Sequence, residues 1–229
     1  MQDYTKTYGR WAGIGYLTIA VAGGFAIAYV PSVIDVAGDP AATVANIMEN
    51  RGLYALGQVG EMIVLLVEVA VSIMLFHMFR GVSTTLAGIA AASRLMMVAI
   101  MSTMLFFTAM TLSFAGGEGY LSALPREQLD AFALLATETH HIGVKIWELF
   151  FWLHLVILGV LVIRFPRTPT ILGWAMAIGS FGYLLDAVTG LVAPTYTGLD
   201  WLEVGLLTIV TLGEVSFALW LTIFGIKSK

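Results

Sequence analysis

Six long apolar runs, set apart by short polar or glycine- and proline-marked breaks, dominate the chain. They cover Trp11–Val30, Leu53–Phe79, Thr85–Phe114, His140–Ile163, Ile171–Val192 and Leu202–Ile226. Each reaches the ~20 residues that a helix needs to cross a hydrocarbon core. None shows the short alternating segments of a membrane β-barrel. The breaks fall at Pro31, Gly81, Gly116-Gly117, Pro166 with Pro169, and Pro194 with Gly198, residues that end or turn helices. The pattern predicts an all-α fold: a polytopic bundle of six transmembrane helices forming one integral membrane domain over residues 1–229.

Two linkers carry helical signals of their own. Asp39-Pro40 reads as an N-cap followed by a first-turn proline, so residues 40–50 are expected as a short surface helix. Pro125, followed by Glu127 and Gln128, starts another. Pro125–Arg164 is then one long helix or a broken one, with Gly143 as its weak point. The first run, preceded by Lys6 and Arg10 and containing Ala26-Ile27-Ala28, could pass for a signal peptide. It is read as a retained helix.

Composition supports the membrane class. Of 229 residues, 59% are hydrophobic and 11% charged, against ~25% charged in soluble domains, and the mean hydropathy is +0.90. Cysteine is absent, which excludes disulfides, zinc–thiolate sites and iron–sulfur ligation. No basic nucleic-acid patch occurs. The partner expected is the lipid bilayer, with a small ion or polar ligand as the candidate second one.

The distribution of charge orients the bundle. Lys6, Arg10, Arg80, Arg164, Arg167, Lys227 and Lys229 fall on the side of the termini. The other side holds Asp35, Asp39, Glu49, Glu118, Glu127, Asp130, Glu138, Asp200 and Glu203, with only Arg51 and Arg126 positive. Basic loops stay in the cytoplasm, so both termini are expected there. An even number of spans is then required, and six satisfies it.

Ionisable residues inside apolar spans are costly and mark function by default. This chain has Glu61 and Glu68 in the second span, Arg94 in the third, Lys145, Glu148 and His154 in the fourth, Asp186 in the fifth and Glu214 in the sixth. His140 and His141 sit at the outer end of the fourth span and His77 near the cytoplasmic end of the second. Glu61 and Glu68, seven apart, share a helix face. So do His141, Lys145 and Glu148, while His140, Trp147, Phe151 and His154 share another. At ~1.5 Å per residue, Glu68, Arg94, His154 and Glu214 fall near mid-membrane. Glu61, Lys145, Glu148 and Asp186 fall in the outer half. A polar cavity opening outward, with its floor near the midplane, is the expectation.

Five acids oppose Arg94 and Lys145 within the spans. Protons, a metal or a cationic ligand would offset the excess. His154 with Glu68 and Glu214 would suit a divalent metal, although no local H-E-x-x-H motif is present. Haem is disfavoured because His77 and His154 lie ~12 Å apart in depth. Retinal is disfavoured because the last span has no lysine, and nucleotide because no P-loop occurs. Structural pairing is the competing reading: Lys145 and Glu148 form an i, i+3 pair, and Arg94 can lock onto Glu68 or Glu214. Trp11, Tyr29, Trp174 and Trp201 read as interface anchors.

Several ordered segments resemble a known family. They are Gly9-Arg10-Trp11-Ala12-Gly13-Ile14-Gly15-Tyr16-Leu17, the paired acids Glu61 and Glu68, and Arg94-Leu95. They continue with His140, Phe150-Phe151-Trp152-Leu153-His154, Gly182-Tyr183-Leu184-Leu185-Asp186 and Gly213-Glu214-Val215-Ser216-Phe217-Ala218-Leu219-Trp220-Leu221. Together they are similar to the bacterial membrane family known as domain of unknown function number 4386. The resemblance implies a six-helix protein of the bacterial inner (plasma) membrane and implies no activity. Glu61 and Glu68 stand where the family has aspartates, and Lys145 and Glu148 where it has other residues. The resemblance therefore favours Arg94, His154, Asp186 and Glu214.

Three function classes fit. One is a transporter-like or sensor-like protein binding a proton, cation or small polar ligand at Glu61, Glu68, Arg94, His154, Asp186 and Glu214. Here Glu68 and Glu214 accept, Arg94 counters, His154 titrates and Asp186 stands at the mouth. The second is an intramembrane enzyme using a metal or His/carboxylate acid–base chemistry. The third is an accessory subunit whose charges are paired internally. The paired broken helices of inverted-repeat transporters are not evident in the sequence.

Overall fold

The computed structural model describes residues 6–36 and 39–226. Lys227 and Lys229, part of the basic terminal side, lie outside them. The described residues form seven α-helices: α1 Lys6–Ile34, α2 Pro40–Glu49, α3 Arg51–Phe79, α4 Thr84–Gly116, α5 Arg126–Arg164, α6 Thr170–Val192 and α7 Asp200–Phe224. No strand occurs among them. All except α2 are long and apolar enough to cross a membrane, as the six apolar runs predict.

The spans make a closed ring. Each packs against the next in sequence, α1 on α3, α3 on α4, α4 on α5, α5 on α6 and α6 on α7, and α7 returns to α1. Glycines allow the closure: a Cβ on Gly13 would lie 2.5 Å from the Thr222 backbone nitrogen. Gly9 lies equally close to Ile226, so α1 begins and α7 ends on one face of the ring, here the terminal face. The opposite, loop face carries α2, the 3-10 turn Gly119–Ala123 and the start of α5.

Asp39 caps α2 as its sequence suggests, accepting from the Ala42 amide at 3.0 Å. Ile47 and Val44 of α2 bury against Val30, Ile34, Ala115 and Ala133 as a small second core on the loop face. The two readings of Pro125–Arg164 resolve to one continuous helix through Gly143. That residue is a contact rather than a weak point, because the Met104 thioether fills the place of its missing side chain. At 39 residues the helix is ~58 Å long. It overshoots a ~30 Å hydrocarbon core and props up the loop-face core.

Two spans are interrupted. Before Pro31, α1 widens into a π-helical stretch, Gly24–Tyr29, and the Val30 amide reaches back to the Phe25 carbonyl. The ring of Pro31 cannot continue an ordinary ladder, and a π turn absorbs the mismatch. In α6 the helix pauses at Ser180, whose hydroxyl bonds the Ala177 carbonyl at 3.0 Å. These interruptions lie in the first and fifth spans, which are not equivalent positions of two three-helix halves. Trp11, Tyr29, Trp174 and Trp201 are exposed on the outer surface near helix ends.

Candidate functional site

The ring interior is where six helices contribute side chains, and Arg94 of α4 occupies it. On α4 the buried stripe Ala87, Ala90, Arg94, Met97, Met101 repeats every three or four residues and turns Arg94 inward. On α3 the stripe Gly57, Glu61, Glu68, Ser72, Leu75, Phe79 does the same for both acids. Arg94 is 1% exposed. Its guanidinium grips Glu68 with two prongs, Nε on Oε2 and Nη2 on Oε1 at 3.1 Å. Nη1 donates to the Tyr16 hydroxyl and to His154 Nε2, both at 2.9 Å. Tyr16 in turn donates to Glu214 Oε1 at 3.2 Å.

The direction of these bonds sets the state of His154. A guanidinium only donates, so Nε2 accepts. Nδ1 stands 2.9 Å from the Ala90 carbonyl, which only accepts, so the ring proton is on Nδ1. His154 is therefore the neutral tautomer with both nitrogens engaged.

A second cluster lies closer to the loop face. Lys145 Nζ reaches Asp186 Oδ1 at 2.5 Å and Glu148 Oε1 at 3.5 Å. The lysine stem lies over Gly190, where a Cβ would meet its methylenes at 3.1 Å. The rings of Trp147, Phe151 and Tyr183, packed together at tilted angles, stand on α5 and α6 beside this cluster.

Two further pairs are longer. His140 Nε2 is 3.6 Å from Glu61 Oε1, and His141 Nε2 is 3.6 Å from Asp35 Oδ2. All four line a cavity of ≈ 40 Å3, which Gln58, Thr108 and Thr137 also line. Glu61 borders a deeper cavity of ≈ 20 Å3 as well, whose other acid is Glu68. Asp35, just beyond α1, has its carboxyl pushed above the usual aspartate range, first by burial and then by nearby Glu138, with His141 opposing.

The structure thus gathers Glu68, Arg94, His154 and Glu214 into one knot, and Asp186 joins Lys145 instead. Glu61 belongs to the loop-face cavity. Arg94 chooses Glu68, and Tyr16 stands between it and Glu214. Among the described residues no three His, Asp or Glu side chains are grouped to hold a metal ion. The set of His154, Glu68 and Glu214, expected to suit a divalent metal, is knitted around the guanidinium and the Tyr16 hydroxyl. Sequence reasoning missed Tyr16 and Gln58. Tyr16 shares the Gly9, Ala12, Gly13 stripe of α1, a face of small residues that signals inward placement.

The family model described as Domain of unknown function (DUF4386) matches residues 11–225. A protein of Archaeoglobus fulgidus described as uncharacterized is 27% identical over 169 residues, 74% of this chain and 83% of that one. No solved structure matches.

Proposed function

Given that the chain belongs to the family described as Domain of unknown function (DUF4386), we propose that this multi-pass membrane protein takes up a proton or small cation from the loop face onto an intramembrane carboxylate. One observation carries the reading: Glu61 is the acid shared by both cavities, the upper one reached by Asp35, His140 and His141 and the lower one bordered by Glu68. Glu61 is 6% exposed, and its Oε2 has no hydrogen-bond partner among the described residues. An arriving cation would meet an acceptor that is already desolvated. The limited volume favours a proton or small ion over a larger polar ligand.

The loop face is taken as the outside, with both termini cytoplasmic in the inner (plasma) membrane. The positive-inside bias of Arg80, Arg164 and Arg167 supports this. A chain without cysteine is a ready background for labelling: a cysteine at Glu118 should react with an impermeant thiol reagent in intact cells, and one at Arg167 should not.

The test of the uptake reading is an infrared pH titration of the carboxyl bands in lipid. Glu61→Gln should remove one titrating carboxyl. An unchanged set of titrating bands would exclude Glu61 as the acceptor.

The accessory-subunit reading draws on a specific observation too: all three guanidinium nitrogens of Arg94 have a partner, as a structural clasp should. The intramembrane-enzyme reading has less support, since both nitrogens of His154 are occupied.

A further inference from the structure

Three buried polar atoms of the upper cavity lack a hydrogen-bond partner among the described residues: Gln58 Nε2, Glu61 Oε2 and His140 Nε2. The three residues come from two helices, α3 and α5, and all line the same ≈ 40 Å3 space. Burying a polar group without a partner is costly, so three together at one cavity call for a shared ligand. The separation of His140 from Glu61, 3.6 Å, is too long for a direct hydrogen bond and lets a single water bond both side chains. A bound water needs ~10–15 Å3 of such space and two to four polar partners. The cavity has room for about three.

We infer that the cavity between α1, α3, α4 and α5 binds a cluster of ordered water molecules that joins His140 to Glu61. Gln58, Thr108 and Thr137 anchor the cluster, and Asp35 with His141 connects it to the loop face. Its role rests on the uptake reading above and narrows it to protons. A proton leaves His140 Nε2, passes through the water and ends on a Glu61 oxygen, so that an imidazolium and a carboxylate become two neutral side chains. The titratable groups around Glu61 are His140 and His141 from α5, Asp35 beyond α1, and Tyr54 and Glu68 on α3 itself; α4 lines the upper cavity with Thr108. The deeper cavity below Glu61 is lined mainly by apolar side chains, among them Val64, Leu65, Met97 and Trp147, so it holds water less readily than the polar cavity above.

The experiment is infrared difference spectroscopy of the lipid-reconstituted protein in ordinary and in oxygen-18 water, with a high-resolution density map of the same protein. The expected result is two or three water-sized peaks in the cavity and O–H stretching bands that shift with the isotope. Gln58→Leu should weaken those bands and Thr137→Met, which fills the space, should abolish them. Two variants on different helices guard against a single folding failure. A dry cavity, or one peak that follows the salt cation and shifts no O–H band, would overturn the inference. Isotope-sensitive bands in a protein whose Glu61 does not titrate would leave the hydration intact and defeat the uptake reading.

Discussion

Arg94 and Glu68 meet fork to fork at the centre of the ring, Nη2 on Oε1 at 3.1 Å with Nε on the other oxygen. Removing one partner of such a pair leaves a buried charge that nothing compensates, whereas removing both can be neutral. Arg94→Met alone should destabilise the protein by about 3–5 kcal/mol. Arg94→Met with Glu68→Met should recover most of that loss. Thermal unfolding of the two variants in detergent checks the contrast.

Glu214 is held by Tyr16 rather than by Arg94. A glutamine at this position keeps an oxygen that can accept from the hydroxyl and discards a charge. Glu214→Gln should therefore be neutral or stabilising, in the opposite direction to Arg94→Met. Tyr16→Phe removes a group that bonds both Arg94 and Glu214 and should cost about 1–3 kcal/mol. The same unfolding measurement separates the two, and a destabilising Glu214→Gln would place that acid on Arg94.

Close helix contacts should rank glycine substitutions. A Cβ on Gly159 would stand 2.6 Å from the Gly173 carbonyl, and one on Gly173 the same distance from the Gly159 carbonyl. Backbone cannot yield there, so Gly159→Ala should cost at least the ~1–3 kcal/mol of overpacking. Gly143→Ala meets only the flexible Met104 side chain and should cost less. Gly88→Ala meets nothing within 4 Å and should gain up to ~1 kcal/mol from helix propensity. Midpoints of unfolding for the three variants give the order.

Asp35 links stability to pH. Its folded carboxyl lies above its ordinary value, with burial the main cause. The stability it contributes is thus present at low pH and lost as pH rises through the unfolded value and then the folded one. Asp35→Asn should flatten this acid-range slope in a plot of unfolding midpoint against pH. A slope unchanged by the substitution would show that Asp35 does not cause it.

Much of the fold was legible because membrane spans report themselves locally. A run such as Leu53–Phe79 must satisfy its backbone internally and face lipid, and apolar length alone encodes both. The paired faces were legible too, since Glu61 and Glu68 are seven residues apart on one stripe of α3. Partner choice was not. Nothing in the order of residues says that Arg94 takes Glu68, that Tyr16 separates it from Glu214, or that Asp186 leaves for Lys145. Those choices depend on helix rotation and sub-ångström approach, which glycines such as Gly13 and Gly159 permit.

By itself the sequence determined the class of the protein, its six apolar spans and which acids and bases lie within them. Hydrophobic length and helical period are properties of a single segment, so a single segment reveals them. The tertiary structure decided which charges are spent and which are left over. Closing the ring gives every side-chain nitrogen of Arg94 and His154 a partner and leaves Glu61 bordering two cavities with one oxygen unpartnered among the described residues. That distinction comes from side chains of helices far apart in the chain, whose hydrogen bonds exist only once those helices have packed.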